Sequence, residues 1–156
     1  MRPPQTPNPR AQTQAAPPRH EYHFTIQHGR FFADLVIAGD CSLYDFAEFI
    51  VKTVGFDFDH SFEFCDNLKD PYRSKERYTL FADMGEGEDG DHSVKRTRIA
   101  DVFAPKRKML FHFDYGDDWL FLVTCTAVKE SAAKRRFKKV NSTRGTPPEQ
   151  YPNPEE

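Results

Sequence analysis

The run Phe113-Asp114-Tyr115-Gly116-Asp117-Asp118-Trp119 places three carboxylates around a glycine turn. Oxygen ligands crowded in this way suit a hard divalent cation. His60 adds a nitrogen ligand if its strand pairs nearby. On that reading Asp114, Asp117, Asp118 and His60 assist a reaction through a bound metal. The plainer reading is structural, and we favour it. Asp117 and Asp118 bond the turn backbone, as turn aspartates do, while Phe113 and Trp119 pack inward. Alternation sets Phe111, Phe113 and Tyr115 on one face of the strand, with His112 and Asp114 on the other. His112 and Asp114 therefore face solvent or line a cleft.

Other clusters carry weaker chemistry. His60 shares a predicted strand face with Phe62 and Phe64, where a histidine is more often a hydrogen-bonded core residue than a ligand. Asp57-Phe58-Asp59-His60 is rich in ligand types, yet strand geometry sends alternate members to opposite faces. The acidic, glycine-rich loop 83–92 does not match the spacing of a calcium loop. Lys134, Arg135, Arg136, Lys138 and Lys139 surround Phe137 and are of the type that touches nucleic-acid phosphates. The acidic body beside them opposes that reading. Cys41 stands at a helix start, where a thiol pKa can fall, but a small buried residue beside the cap is the plainer assignment. Gly-x-Ser-x-Gly, phosphate-loop, His-Glu-x-x-His and Cys-x-x-Cys patterns are all absent. The residues thus lean away from an enzyme.

The elements that must position these groups follow from periodicity. Residues 22–26 and 31–37 alternate apolar and polar residues on either side of His28-Gly29-Arg30, which predicts a hairpin. Ser42 and Asp45 form a capping-box pair, Leu43, Phe46, Ala47, Ile50 and Val54 recur at helical spacing, and Gly55 supplies a C-cap. This predicts a helix over 43–54. Short strands are predicted at 60–64 and 78–81. A short helix capped by Thr97 runs through Ile99 and Val102 to a stop at Pro105. Residues 109–115 and 119–128 form a second hairpin. Lys134–Val140 reads either as a last edge strand or as a solvated tail.

The chain has 156 residues, sufficient for one domain. Fourteen of its fifteen phenylalanines lie between Phe24 and Phe121, which marks the core. Six prolines among residues 1–20, and Pro147, Pro148, Pro152 and Pro154 near the end, leave little to bury. The expected layout is a disordered tail over 1–20, an α+β domain over 21–144 and a disordered tail over 145–156. Net charge is −2, but residues 21–128 hold twelve Lys/Arg against twenty Asp/Glu, and residues 129–144 hold seven bases against one acid. No apolar run reaches the roughly 20 residues of a membrane span. Three cysteines without paired spacing read as reduced thiols in a cytoplasmic compartment.

Several of these features occur in one order. Ala38-Gly39-Asp40 precedes the capped helix, Gly55-Phe56 precedes His60-x-Phe62, Ile99-x-x-Val102 leads to the last hairpin, and Pro147-Pro148-Glu149 follows. The chain resembles the plasmid pRiA4b open-reading-frame-three-like family, insertion-element passenger proteins, over about residues 22–128. The aromatic-Asp-aromatic-Gly-Asp-Asp-Trp run is the specific part. It departs from the family pattern at Ala33-Asp34-Leu35 and at Gln150-Tyr151-Pro152. The resemblance implies an α+β fold without an established activity.

The expected fold is therefore α+β, a small antiparallel sheet of hairpins with one principal and one short helix packed on it. The expected function is that of a binding or accessory module, linked to mobile elements by resemblance, with no cofactor unless a divalent cation binds, no membrane, and a partner left open between a protein and the less favoured nucleic acid. The alternatives are a metal-assisted enzyme using the hairpin aspartates, and a nucleic-acid accessory acting through residues 134–139. The candidate site comprises His60, Asp114, Asp117, Asp118 and Trp119.

Overall fold

The computed structural model describes residues 18–152. Its centre is one eight-stranded sheet in the order β5-β4-β3-β6-β7-β1-β2-β8. In chain order these are β1 (Arg19–His28), β2 (Phe31–Ala38), β3 (Phe62–Cys65), β4 (Arg77–Thr79), β5 (His92–Ser93), β6 (Lys108–Phe113), β7 (Trp119–Ser131) and β8 (Lys138–Arg144). Helices are few: α1 (Leu43–Val54), α2 (Leu80–Asp83), α3 (Ile99–Val102) and a 3₁₀ turn at Pro71–Arg73.

This corrects the expected fold class. The small sheet of hairpins with two packed helices is overturned by a single mixed sheet that dominates the structure. Most neighbours pair antiparallel, but β4 and β5 run parallel. The two hairpins are not separate units, because β1 pairs with β7 along nearly its whole length. The sheet grows further by β4, which the strand expected at 78–81 partly covers, and by β5, which carries no strand signal. It grows also by β8, where an edge strand or a solvated tail is expected over 134–140. β4 and β5 have three and two residues. All seven residues of β8 are exposed.

Helix α1 forms where its sequence predicts. Ser42 accepts a hydrogen bond from the Asp45 backbone, the Asp45 carboxylate accepts one from the Ser42 backbone, and Gly55 ends the helix at φ 89°. That left-handed conformation suits glycine, which lacks a Cβ to clash. The helix crosses one face of the sheet and buries Leu43, Phe46, Ala47, Ile50 and Val54. Phe46 touches Phe24 of β1 at a centroid distance of 4.4 Å and Phe64 of β3 at 5.6 Å. One aromatic layer thus ties strands far apart in sequence.

Elsewhere the boundaries move. The strand expected at 60–64 begins at Phe62, so His60 lies outside it. The segment 78–81 divides between β4 and α2, with Thr79 capping α2 through the Ala82 backbone. Arg98 rather than Thr97 is the N-cap of α3, and the Asp101 carboxylate bonds its backbone.

The tail expected over 1–20 lies outside the described residues as far as residue 17; Arg19 and His20 open β1. Of the tail expected over 145–156, residues 153–156 lie outside them as well. Gln150, by contrast, is buried. Its amide oxygen accepts from the Asp57 backbone, and its amide nitrogen donates to the Asp57 carbonyl and to the Asp59 carboxylate.

Candidate functional site

The β6–β7 turn sends its carboxylates to opposite faces. Asp114 and Asp118 both adopt left-handed backbone conformations, φ 66° and 51°. Asparagine and aspartate tolerate this region better than most residues. The Asp114 Oδ1 accepts hydrogen bonds from the backbones of Gly116 and Asp117, at 3.0 and 3.2 Å. The Asp118 backbone donates to the Asp114 carbonyl at 2.6 Å. Both aspartates therefore have a role in building the turn.

On one side, the buried Asp114 reaches His60, with Oδ2 3.3 Å from Nε2. His60 also meets the Tyr151 hydroxyl at 2.8 Å, and that hydroxyl donates to Asp59. This hydrogen bond to Asp59 is the main reason the Tyr151 phenol is pushed up to about 12. The grouping holds the segment near residue 150 onto the loop before β3.

On the other side, Asp118 Oδ1 lies 2.6 Å from His112 Nε2 and accepts from the Tyr72 hydroxyl at 2.7 Å. An ionised carboxylate only accepts, so Nε2 carries the proton of this contact. The Tyr72 hydroxyl holds the Asp118 carboxyl below its ordinary value of 3.8, against desolvation and with further help from His112. The same bond raises the Tyr72 phenol to about 12. A carboxyl lowered in the fold contributes stability above its unfolded pKa, and this is lost as pH falls through the folded value. Asp118→Asn is therefore expected to flatten the fall in stability below about pH 4. Equal slopes for variant and parent in acid denaturation would refute the assignment.

Asp117 is exposed. Trp119 packs on the core side against Phe56 at 4.8 Å and His28 at 5.4 Å. The five residues singled out by sequence thus divide into two hydrogen-bonded groups, a packing anchor and a solvent-facing carboxylate. Among the described residues, no group of three or more His, Cys, Asp or Glu side chains is placed to hold a metal ion.

The basic segment is partly occupied. Arg136 pairs with Asp40 at 3.2 Å, and the Lys138 ammonium lies 5.7 Å from the Phe49 ring centroid. Phe137 packs against the core. Lys134, Arg135 and Lys139 are exposed.

Sequence reasoning missed the most unusual group, which surrounds His112. Pairing sets Glu63 of β3 opposite His112 of β6. Phe62, Phe64, Phe111 and Phe113 fill the helix-side core, so Glu63 and His112 project to the opposite face. Both are buried, Glu63 at 4% exposure and His112 at 0%. The Tyr115 hydroxyl donates to Glu63 Oε2 at 2.8 Å. Burial, followed by the Glu63 charge, raises the Tyr115 phenol strongly. Arg77 of β4 approaches Glu63 Oε1 only to 3.9 Å, and His112 Nδ1 stands 3.9 Å from Oε2. Glu63 Oε1, Arg77 Nε and His112 Nδ1 are all buried without hydrogen-bond partners. Such groups cost free energy unless something pairs with them.

Glu63 and Arg77 open on a cleft of about 190 Å³, walled by Tyr72, Phe81 and Tyr115 and rimmed by the acidic loop. Alternation separates His112 from the phenylalanines, but it also sets Tyr115 with them and Asp114 with His112. Past Phe113 the turn reverses this, bringing Tyr115 to Glu63 and His112, and Asp114 to His60. The cleft itself joins β3, the 3₁₀ turn, β4, the loop and the hairpin, and no local signal links those segments.

No helix among the described residues is long and apolar enough to cross a membrane. The three cysteines are free and buried. No curated protein matches the chain. A solved structure, that of a protein of unknown function from Methanosarcina mazei Go1, is similar at TM-score 0.64 and 17% identity, covering 80% of this chain and 70% of that one. That likeness concerns the fold. The plasmid pRiA4b ORF-3-like protein family matches residues 22–154, a span that includes α1, the hairpin and the docked Gln150. The chain belongs to the plasmid pRiA4b ORF-3-like protein family.

Proposed function

We propose that this chain is a non-catalytic binding or accessory module, and that it binds through the cleft over Glu63. One observation carries the reading. A buried carboxylate oxygen, Glu63 Oε1, lacks a partner at the wall of a solvent-reaching cleft. An arrangement that costs stability in the free protein is a common mark of a site kept for a ligand.

The thiols argue against nucleophilic catalysis. Burial raises Cys41 and Cys125 to about 11 and Cys65 to about 12, so all three stay protonated at neutral pH. Free, buried thiols also support placing the chain in a reducing, cytoplasmic compartment. The plasmid in the family's name fits an accessory protein carried by mobile DNA.

The test is a stability measurement. Glu63→Met combined with Arg77→Met and Tyr115→Phe removes the polar network and keeps its approximate volume. If the network is held for binding, this variant should melt at or above the parent temperature, since replacing buried ion pairs by packed apolar groups is often neutral or stabilising. A loss of more than about 2 kcal/mol would make the network structural and sink the reading.

A further inference from the structure

The occupant of this cleft follows from its charge and size; the inference rests on the reading that the cleft is a binding site. Glu63, Glu86, Glu88 and Asp91 set four carboxylates against the single guanidinium of Arg77. Arg77 does not satisfy Glu63. Its terminal nitrogens are directed to the Glu88 carboxylate at 3.4 Å and to the Pro71 carbonyl at 3.1 Å. Only Nε points toward Glu63, beyond hydrogen-bond distance. The excess of negative charge favours a donor-rich cation and repels an anion.

The walls add a second criterion. Tyr72, Phe81 and Tyr115 present aromatic surface, with Phe81 and Tyr115 stacked at 5.4 Å. Aromatic faces attract organic cations, and a planar guanidinium both stacks on rings and forks to a carboxylate. The size sets a third. A volume of about 190 Å³ corresponds to about six water molecules. That matches the end of one side chain and is too small to enclose a nucleotide. We propose that the cleft captures the basic side chain, arginine before lysine, of a protein partner. Glu63 Oε1 accepts its hydrogen bond, the rings hold its plane, and the loop carboxylates steer it in.

The experiment uses the full chain labelled with nitrogen-15 and four probes, the N-acetyl methylamides of arginine, lysine, glutamine and glutamate. The arginine probe should give saturable shifts at the amides around Glu63, Arg77, Phe81 and Tyr115, with lysine weaker and glutamate inactive. Glu63→Gln should weaken arginine binding about tenfold or more, because the acceptor oxygen loses its negative charge and the charge-assisted bond becomes a neutral one. Glu86→Gln with Glu88→Gln, on the exposed loop, should weaken it a few-fold without touching the core. Glutamine binding there as well as arginine would overturn the cationic assignment while leaving the cleft a binding site. No saturable shift with any probe would remove both.

Discussion

Replacing Phe46 by alanine should destabilise the protein by about 3–5 kcal/mol, the range for a fully buried aromatic. Phe46 is 0% exposed and sits where α1 meets the sheet. Its ring contacts Phe24 on β1, Phe64 on β3 and Phe103 after α3. Truncation would open a cavity between elements that cannot close onto it, since each is held by its own hydrogen bonds. The helix face supplies the control. Lys52 lies off the apolar stripe and makes only an exposed pair with Glu48 at 3.8 Å. Such pairs contribute little, so Lys52→Ala should change stability by less than about 0.5 kcal/mol. For a chain of this size the difference is roughly 10 °C in melting temperature. Similar melting of the two variants would contradict the burial of the Phe46 face.

This helix was legible because its signals are local. A cap, a stripe and a terminal glycine lie within fourteen residues, and each acts through neighbours a turn away. The β6 and β7 strands were legible for the same reason, through alternation across a glycine turn. The sheet as a whole was not. The strand expected at 78–81 catches only part of β4, β5 is too short to show a period, and β8 is a polar edge that depends on β2 for its pairing. Charged edges are how sheets resist unwanted pairing, so the residues that make β8 a tolerable edge also leave edge strand and solvated tail both open in its sequence. Of the candidate residues, one pairing was legible. Asp114 and His60 do meet, at 3.3 Å. The Glu63 cluster escaped because a single glutamate in an aromatic strand carries no pattern. Its significance comes from register with His112, a contact spanning about fifty residues of chain.

The hairpin allows a sharper decision, since charge and geometry at Asp114 predict different outcomes. Alanine at this position removes the acceptor for the Gly116 and Asp117 backbones. Each such bond contributes about 0.5–1.5 kcal/mol. Alanine must also occupy a left-handed conformation, φ 66°, at a further cost of about 1–2 kcal/mol. Asp114→Ala is therefore expected to lose about 2–5 kcal/mol in total. Asparagine keeps the Oδ1 acceptor and tolerates the backbone, so Asp114→Asn should stay within about 1 kcal/mol of the parent. The contact with His60 makes little difference to this ordering, because the histidine is 40% exposed and has Tyr151 as another partner. If instead Asp114 were a cation ligand, the free protein would gain stability with magnesium, manganese, calcium or zinc. Asparagine would abolish that gain while leaving the turn intact. Thermal denaturation of parent, Asp114→Ala and Asp114→Asn with and without each cation separates the two accounts. The expected pattern is a large loss for alanine, almost none for asparagine and no cation response. A melting shift with one of these metals that disappears in Asp114→Asn would reverse the structural assignment of the turn.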